Sequence, residues 1–246
     1  LTLEPNGCFG ALKDGRLIGT TTTTTYANEL AWIGMVLVDP QHRGQGVATQ
    51  LMKTAMDYLD GKVATIKLDA TAQGKSLYER LGFKIESLVE RWSRPPISES
   101  QATKSKSLDE DERQQVLELD EQAFLGDRSK LIGLLIDDAI ISPVLVRDSD
   151  ETLSGFALAR RGTRANYVGP IVTSEAAQVE SLIDQALAQI RDKNVYLDFS
   201  HECGASTRIL SDRGFVKERD LIRMSAGMQS KKTSSLVVAI AGPEVG

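Results

Sequence analysis

The apolar and polar positions fall into a repeating order of short β-branched runs and helices with one apolar stripe. Gly7 to Val38 reads as three strands. Cys8–Leu12 is the first, and Lys13-Asp14-Gly15 turns the chain, since Asp-Gly between apolar runs favours a hairpin. Arg16–Tyr26 is the second and carries six consecutive threonines, Thr20 to Thr25, whose β-branched side chains suit a pleated strand. Ala27-Asn28-Glu29 turns again into an apolar third strand, Leu30–Val38. A helix is expected from about Gly46 to Asp60, because Val47, Leu51, Ala55 and Leu59 make one stripe, and Gly61 ends it. A strand at Val63–Asp69, a short helix at Gly74–Leu81 ended by Gly82, and a strand at Phe83–Trp92 follow.

Ser93 to Ser107 changes to Pro, Ser, Glu, Gln, Thr and Lys, a linker composition. This divides the chain into a first domain at 1–95, a linker at 96–107 and a second domain at 108–246. The second reads as helices at Asp109–Ala123 and Arg128–Asp137 and strands at Pro143–Arg147, Leu153–Arg160 and Ala165–Val172. A long helix at Glu175–Arg191, a strand at Val195–Phe199, a short helix at Ala205–Asp212 and strands at Phe215–Ser225 and Leu236–Ile240 complete it. The halves resemble each other. Gly34-Met35-Val36, Leu68-Asp69-Ala70 and Gly82-Phe83 correspond to Gly169-Pro170-Ile171, Leu197-Asp198-Phe199 and Gly214-Phe215. Gly34 to Gly82 is 48 residues and Gly169 to Gly214 is 45, which argues for a duplicated mixed α/β domain.

Composition narrows the chemistry. The 246 residues are 41% apolar and 26% charged, as in an average globular protein, which excludes collagen, coiled coil and wholesale disorder. No apolar run approaches the ~18 residues of a membrane-spanning helix, and the first residues lack the pattern of a signal peptide. The formal charge is 29 − 34 = −5, which disfavours a nucleic-acid partner. Cys8 and Cys203 are far apart and form no CxxC pair, so a reducing cytoplasm is expected. His42 and His201 have no ligand set around them, so no metal is expected.

The informative segment is Val36-Leu37-Val38-Asp39-Pro40-Gln41-His42-Arg43-Gly44-Gln45-Gly46-Val47-Ala48, which runs strand, Gly-rich loop, helix. Free backbone N–H groups and the positive end of the helix dipole make such a start a site for phosphate or pyrophosphate. Glycines admit the ligand without a Cβ clash, and Arg43 adds a charge-assisted contact. The competing reading is an ordinary β-to-α turn whose glycines ease the bend. The pattern is neither GxxxxGK[ST] nor a full GxGxxG, which disfavours a nucleoside triphosphate or a dinucleotide.

Arg43-Gly44-Gln45-Gly46-Val47-Ala48 resembles the (Gln/Arg)-x-x-Gly-x-(Gly/Ala) signature of the GNAT acyltransferases. Val-Leu-Val-Asp-Pro before it and Ser76-Leu77-Tyr78-Glu79-Arg80-Leu81-Gly82-Phe83 after it resemble that family too. The resemblance is firm over residues 7–92 and weaker over 108–241, so the whole resembles a tandem GNAT protein with a degenerate second domain. It implies acetyl-CoA or another acyl-CoA as donor. The edge of Val36, Leu37 and Val38 would pair with pantetheine, and the amides of Gly44, Gln45, Gly46, Val47, Ala48 and Thr49, with Arg43, would hold the pyrophosphate. Tyr78 matches the general acid that protonates the departing thiolate. Asp69 and Glu29 are the candidate bases, each acting through water.

The second half lacks a Gly-rich loop, since Thr173-Ser174-Glu175-Ala176 leads into its helix, and Leu210 stands opposite Tyr78. It is expected to be non-catalytic, shaping the acceptor site or making an oligomer contact. Judged against the family, the first copy lacks an N-terminal strand and two helices, about 40 residues of an ordinary domain. The expected activity is transfer of an acetyl group to an amine of a small molecule or peptide. A non-enzymatic acyl-CoA sensor is the rival, and Tyr78 favours the enzyme.

Overall fold

The structure, a computed structural model, describes residues 3–97, 106–124, 126–191, 193–228 and 235–246. The chain forms two compact units. The first takes Leu1–Glu86, Ile222–Lys231 and Pro243–Gly246; the second takes Ser87–Leu221 and Lys232–Gly242. Each unit therefore receives its closing strand from the other half of the sequence. Most of the linker expected at 96–107 lies outside the described residues.

In the first unit β1 (Cys8–Lys13), β2 (Arg16–Tyr26) and β3 (Leu30–Val38) form an antiparallel meander. The helix α1 (Val47–Leu59) then crosses over to β4 (Thr65–Ala70), which lies parallel to β3. The helix α2 (Ala72–Arg80) leads to β5 (Lys84–Arg94), most of which belongs to the second unit. The strand that closes the first sheet is the end of β10 (Val216–Gly227), antiparallel to β4 from Ile222↔Ala70 to Gly227↔Thr65. Ala31 and Ile33 of β3 join Met52, Ala55 and Leu59 of α1, and Leu68, Ala70, Tyr78 and Phe83, in one core. Val47, expected on the buried stripe, is only half-buried because it lies beside a cavity.

The threonine run has a structural use. The β2–β3 register shifts between Thr20 and Thr22, and Met35 opposite the shift has φ +50°. Such a bulge twists its strand and releases carbonyls from the ladder. The Thr20 hydroxyl donates to the Met35 carbonyl at 3.0 Å, and the Thr21 hydroxyl donates to the Gly34 carbonyl at 3.2 Å. β3 pairs with β4 only at Leu30, Ala31 and Trp32, so Val36–Val38 leave β4 and present an edge.

The second unit repeats the plan. It contains α3 (Glu110–Phe124), α4 (Ser129–Asp137), β6 (Val144–Arg147), β7 (Leu153–Arg160) and β8 (Asn166–Thr173). The expected long helix is shorter: a 3-10 turn at Ala176–Gln178 precedes α5 (Val179–Ala188). It starts late because Thr173 Oγ1 accepts from the Glu175 amide at 3.0 Å and donates to Gln178 Oε1 at 2.9 Å, which ties down the entering chain. β9 (Val195–Ser200) starts parallel to β8 at Asn166↔Val195 and Tyr167↔Tyr196, and β5 runs antiparallel to β9. The short helix α6 (Arg208–Ser211) precedes β10. The last strand, β11 (Val237–Ala239), is inserted between β8 and β9, where Ala239 pairs with both Ile171 and Phe199.

Candidate active site

The loop after β3 is organised by Asp39, whose carboxylate accepts from the Gln41 amide at 2.8 Å. Arg43 folds back so that Nε donates to the Val38 carbonyl at 3.2 Å, and Gln45 Nε2 donates to the Gln41 carbonyl. Gly44 and Gly46 take φ of +74° and +81°, a region where any Cβ is strained, and nothing lies within 4 Å of where either Cβ would stand. Gly46 caps α1, and its carbonyl accepts the first helical bond, from Gln50. The amides before Gln50 thus have no partner inside the helix.

A cavity of about 600 Å³ opens onto these amides. Val36, Leu37 and Val38 form its strand wall, and Arg43, Gly44, Gly46, Val47, Ala48 and Thr49 form its loop and helix wall. The far wall comes from α2, with Thr71, Gln73, Gly74, Leu77, Tyr78 and Arg80. Of the residues expected to bind the donor, Gln45 alone does not line it.

Tyr78 is buried at the cavity wall, with its ring edge-on to Phe83 at 6.2 Å. A Cβ at Gly74 would stand 2.8 Å from the Tyr78 ring, so this glycine, one turn earlier, makes room for it. Burial pushes the phenol above its ordinary pKa, so it keeps its proton through neutral and mildly alkaline pH.

The two expected bases are placed differently. The side chain of Asp69 is buried on β4, and both its oxygens accept from Arg223 of β10, at 2.9 and 3.0 Å. The Arg223 guanidinium also lies 4.7 Å over the Trp32 ring. Glu29 is exposed in the turn before β3, with its carbonyl accepting from the Thr65 amide. Seven residues of strand, about 23 Å, separate it from Val36. Neither joins Tyr78 in the cavity wall. Sequence reasoning missed Arg80, Gln73 and Gly74 on that wall, and weighed His42, which also lines it, as a metal ligand. The nearest signal for the first three was their place in the helix that carries Tyr78. It also missed Arg223, although Arg223 follows Phe215 by the same eight residues that separate Arg91 from Phe83. Arg91 makes the matching pair, bidentate to buried Asp198 at 2.7 and 2.6 Å, and Tyr167 donates to the same carboxylate at 2.9 Å.

At the corresponding place in the second unit the groups are consumed internally. Gln178 Nε2 donates to Ser154 Oγ at 2.8 Å and to the Glu175 carboxylate at 3.2 Å. Leu210, opposite Tyr78, is wholly buried, and β11 fills the gap between β8 and β9. Among the described residues there is no group of three or more potential metal ligands, and no helix is long and apolar enough to cross a membrane.

Comparison with known proteins agrees with this duplication. Residues 1–83 match the Acetyltransferase (GNAT) family and residues 116–237 match an Acetyltransferase (GNAT) domain. The uncharacterized N-acetyltransferase YitH of Bacillus subtilis is 28% identical over 86% of this chain and 70% of its own length. The holothin acyltransferase of a Pseudoalteromonas species is 22% identical over 99% of this chain and 83% of its own. A solved Pyrococcus horikoshii protein assigned to the acetyltransferases superposes with a TM-score of 0.80 at 22% identity, covering 100% of this chain and 82% of that one. The chain belongs to the GNAT acetyltransferases, as a tandem member, and acyl transfer is its class of reaction.

Proposed function

We propose that the first unit moves an acetyl group from acetyl-CoA to an amine by direct attack, and that the second unit carries no donor site. The observation that carries this reading is the single cavity that joins the amide-lined loop, the β3 edge and the Tyr78 ring. The empty space where Gly44 and Gly46 lack Cβ atoms fits a pyrophosphate against the amides up to Thr49, with Arg43 and Arg80 as cations. The amides and carbonyls of Val36–Val38 suit the extended, amide-bearing pantetheine. When bound, the thioester supplies an activated acyl carbon.

A neutral amine forms the new C–N bond as the C–S bond breaks. Tyr78 gives its proton to the thiolate and regains one from the nitrogen, so protons balance. The thiolate, whose conjugate thiol has a pKa near 8.5, takes a proton readily from a phenol only while it is newly formed and poorly solvated. Asp69, tied to Arg223, supports the sheet in this reading rather than taking the amine proton. Cys8 and Cys203 are free thiols, in keeping with a cytoplasmic site of action.

Tyr78→Phe tests the assignment, because it keeps the ring against Gly74 and Phe83. The expected result is a fall of about 10²-fold in kcat with acetyl-CoA affinity unchanged. Unchanged turnover would make Tyr78 a packing residue. Tight acyl-CoA binding by the wild type, with no turnover on any amine of a broad panel, would favour a sensor instead.

A further inference from the structure

Four buried side-chain polar atoms among the described residues lack a hydrogen-bond partner, and they belong to His42, Ser87, Arg94 and Glu202. Native proteins leave few such atoms unpaired, and each needs a reason. Of the four residues only His42 lines the donor cavity. Its orphan is Nδ1, which lies 3.8 Å from Asp39 Oδ1, beyond hydrogen-bond reach.

The backbone fixes the ring at this place. Pro40–His42 form one 3-10 turn capped by Asp39, whose Oδ1 accepts from the Gln41 amide at 2.8 Å. The His42 amide donates to the Asp39 carbonyl at 2.8 Å, and the Asp39 amide donates to the Ile18 carbonyl of β2 at 2.9 Å. Arg43, the next residue, has its Nε committed to the Val38 carbonyl. The two nitrogens of an imidazole point apart, so a ring that turns Nδ1 to Asp39 offers Nε2 away from it. The His42 side chain is 22% exposed although Nδ1 is covered, so the ring is open to a ligand on one side. At the start of the corresponding helix in the second unit, Thr173, Glu175 and Gln178 bond one another instead.

We propose that His42 binds a phosphate of the donor, with Nε2 donating to a phosphate oxygen and Nδ1 donating to Asp39, which acts as a positioning residue. This rests on the acyl-transfer reading of the first unit. The other ionisable groups of the cavity wall are Arg43 of the same loop and Tyr78 and Arg80 of α2, while β3 and α1 present none to it. Asp39 is therefore the carboxylate beside the ring. An anion on each side favours a ring that carries both hydrogens, and a small turn of that ring closes the 3.8 Å gap. The amides of Gly44–Thr49 are supplied by the backbone whatever the side chains; His42 adds a contact that depends on its own ring.

The test is calorimetry on the full chain, with CoA and with dephospho-CoA, which lacks the 3′-phosphate. The proteins are wild type, His42→Phe, which keeps a ring and loses its N–H groups, and His42→Gln, which restores one N–H donor. His42→Phe should bind CoA about ten-fold more weakly than wild type, and His42→Gln should recover part of the loss. The same ratio with dephospho-CoA places the contact at the pyrophosphate, and a ratio near one places it at the 3′-phosphate. Equal CoA affinity in wild type and His42→Phe would overturn the assignment, as would equal losses in the Phe and Gln variants, which would mark a packing role. Asp39→Asn, whose amide oxygen can still accept from Gln41, should weaken CoA binding in the wild type and have no further effect in His42→Phe. Losses that add would overturn the part given to Asp39. A wild type that binds no CoA would overturn the donor reading itself, an outcome distinct from a wild type that binds CoA no better than His42→Phe does.

Discussion

Where β3 leaves β4, the first unit has a cavity of about 600 Å³; where β8 leaves β9, the second has Val237–Ala239. The strand plan around the two places is the same: an antiparallel meander, a helical crossover to a parallel strand, and an antiparallel closing strand. The differences lie in a few side chains. Gly44 and Gly46 leave the start of α1 bare, while Thr173, Ser154, Gln178 and Glu175 bond one another at the start of the corresponding helix. One fold therefore yields an open cavity or a closed core according to whether its helix start and its splay are left unfilled. The buried Asp–Arg pairs, Asp69–Arg223 and Asp198–Arg91, persist in both units and so belong to the scaffold the units share.

The largest expected effect comes from making the first helix start resemble the second. Gly46→Glu places a strained side chain and a negative charge at the N-cap of α1, as Glu175 places a charge shortly before the corresponding helix. Acetyl-CoA affinity measured by calorimetry should fall by more than about 100-fold, given a bulky anion in a phosphate position. Affinity equal to the wild type would remove the loop from the site.

Next come the paired carboxylates. Asp69→Asn leaves the buried Arg223 with a neutral partner, and Asp198→Asn leaves the partly buried Arg91 with one. Each should cost about 3–5 kcal/mol in urea unfolding, the scale for breaking a buried pair. If the pairs are scaffold, the two losses should be similar. A large loss of turnover in Asp69→Asn with stability intact would instead return Asp69 to the chemistry.

The smallest effect is a pH dependence. Burial raises the Tyr78 pKa above its ordinary value of 10.0, so the unfolded chain ionises first as pH rises. Stability from this residue should be unaffected below about pH 9 and decline above about pH 10, since the unfolded state then binds fewer protons. The wild type should lose stability there relative to Tyr78→Phe, and Leu210 offers no such group in the second unit. Parallel curves for the two proteins would mean that the Tyr78 phenol is not held in a desolvated wall.

Much of this was legible in the sequence. The bounds of β2 and β3 followed from β-branched runs and turns, and α1 from its stripe with Gly61. The loop after β3 stood out because two glycines, at 44 and 46, fall between a strand and a helix start, where free amides can meet an anion. The exchange of closing strands was not legible, because alternation in Phe83–Trp92 or Phe215–Ser225 gives a face and not a pairing partner. The same limit hid the Asp69–Arg223 pair, whose members are 154 residues apart. Leu236–Ile240 read as a strand, but no local pattern says that it lies between two parallel strands. Glu29 read as a neighbour of the cofactor strand, which is true of its position in sequence and not of its distance from Val36.

The central claim is that one splay is open and the other is filled by the chain itself. The direct measurement is the stoichiometry of acetyl-CoA binding to the intact chain, by native mass spectrometry checked by calorimetry, with Gly46→Glu alongside. One molecule per wild-type chain and none per Gly46→Glu chain is the predicted result. Two molecules per wild-type chain, or one retained by Gly46→Glu, would contradict it.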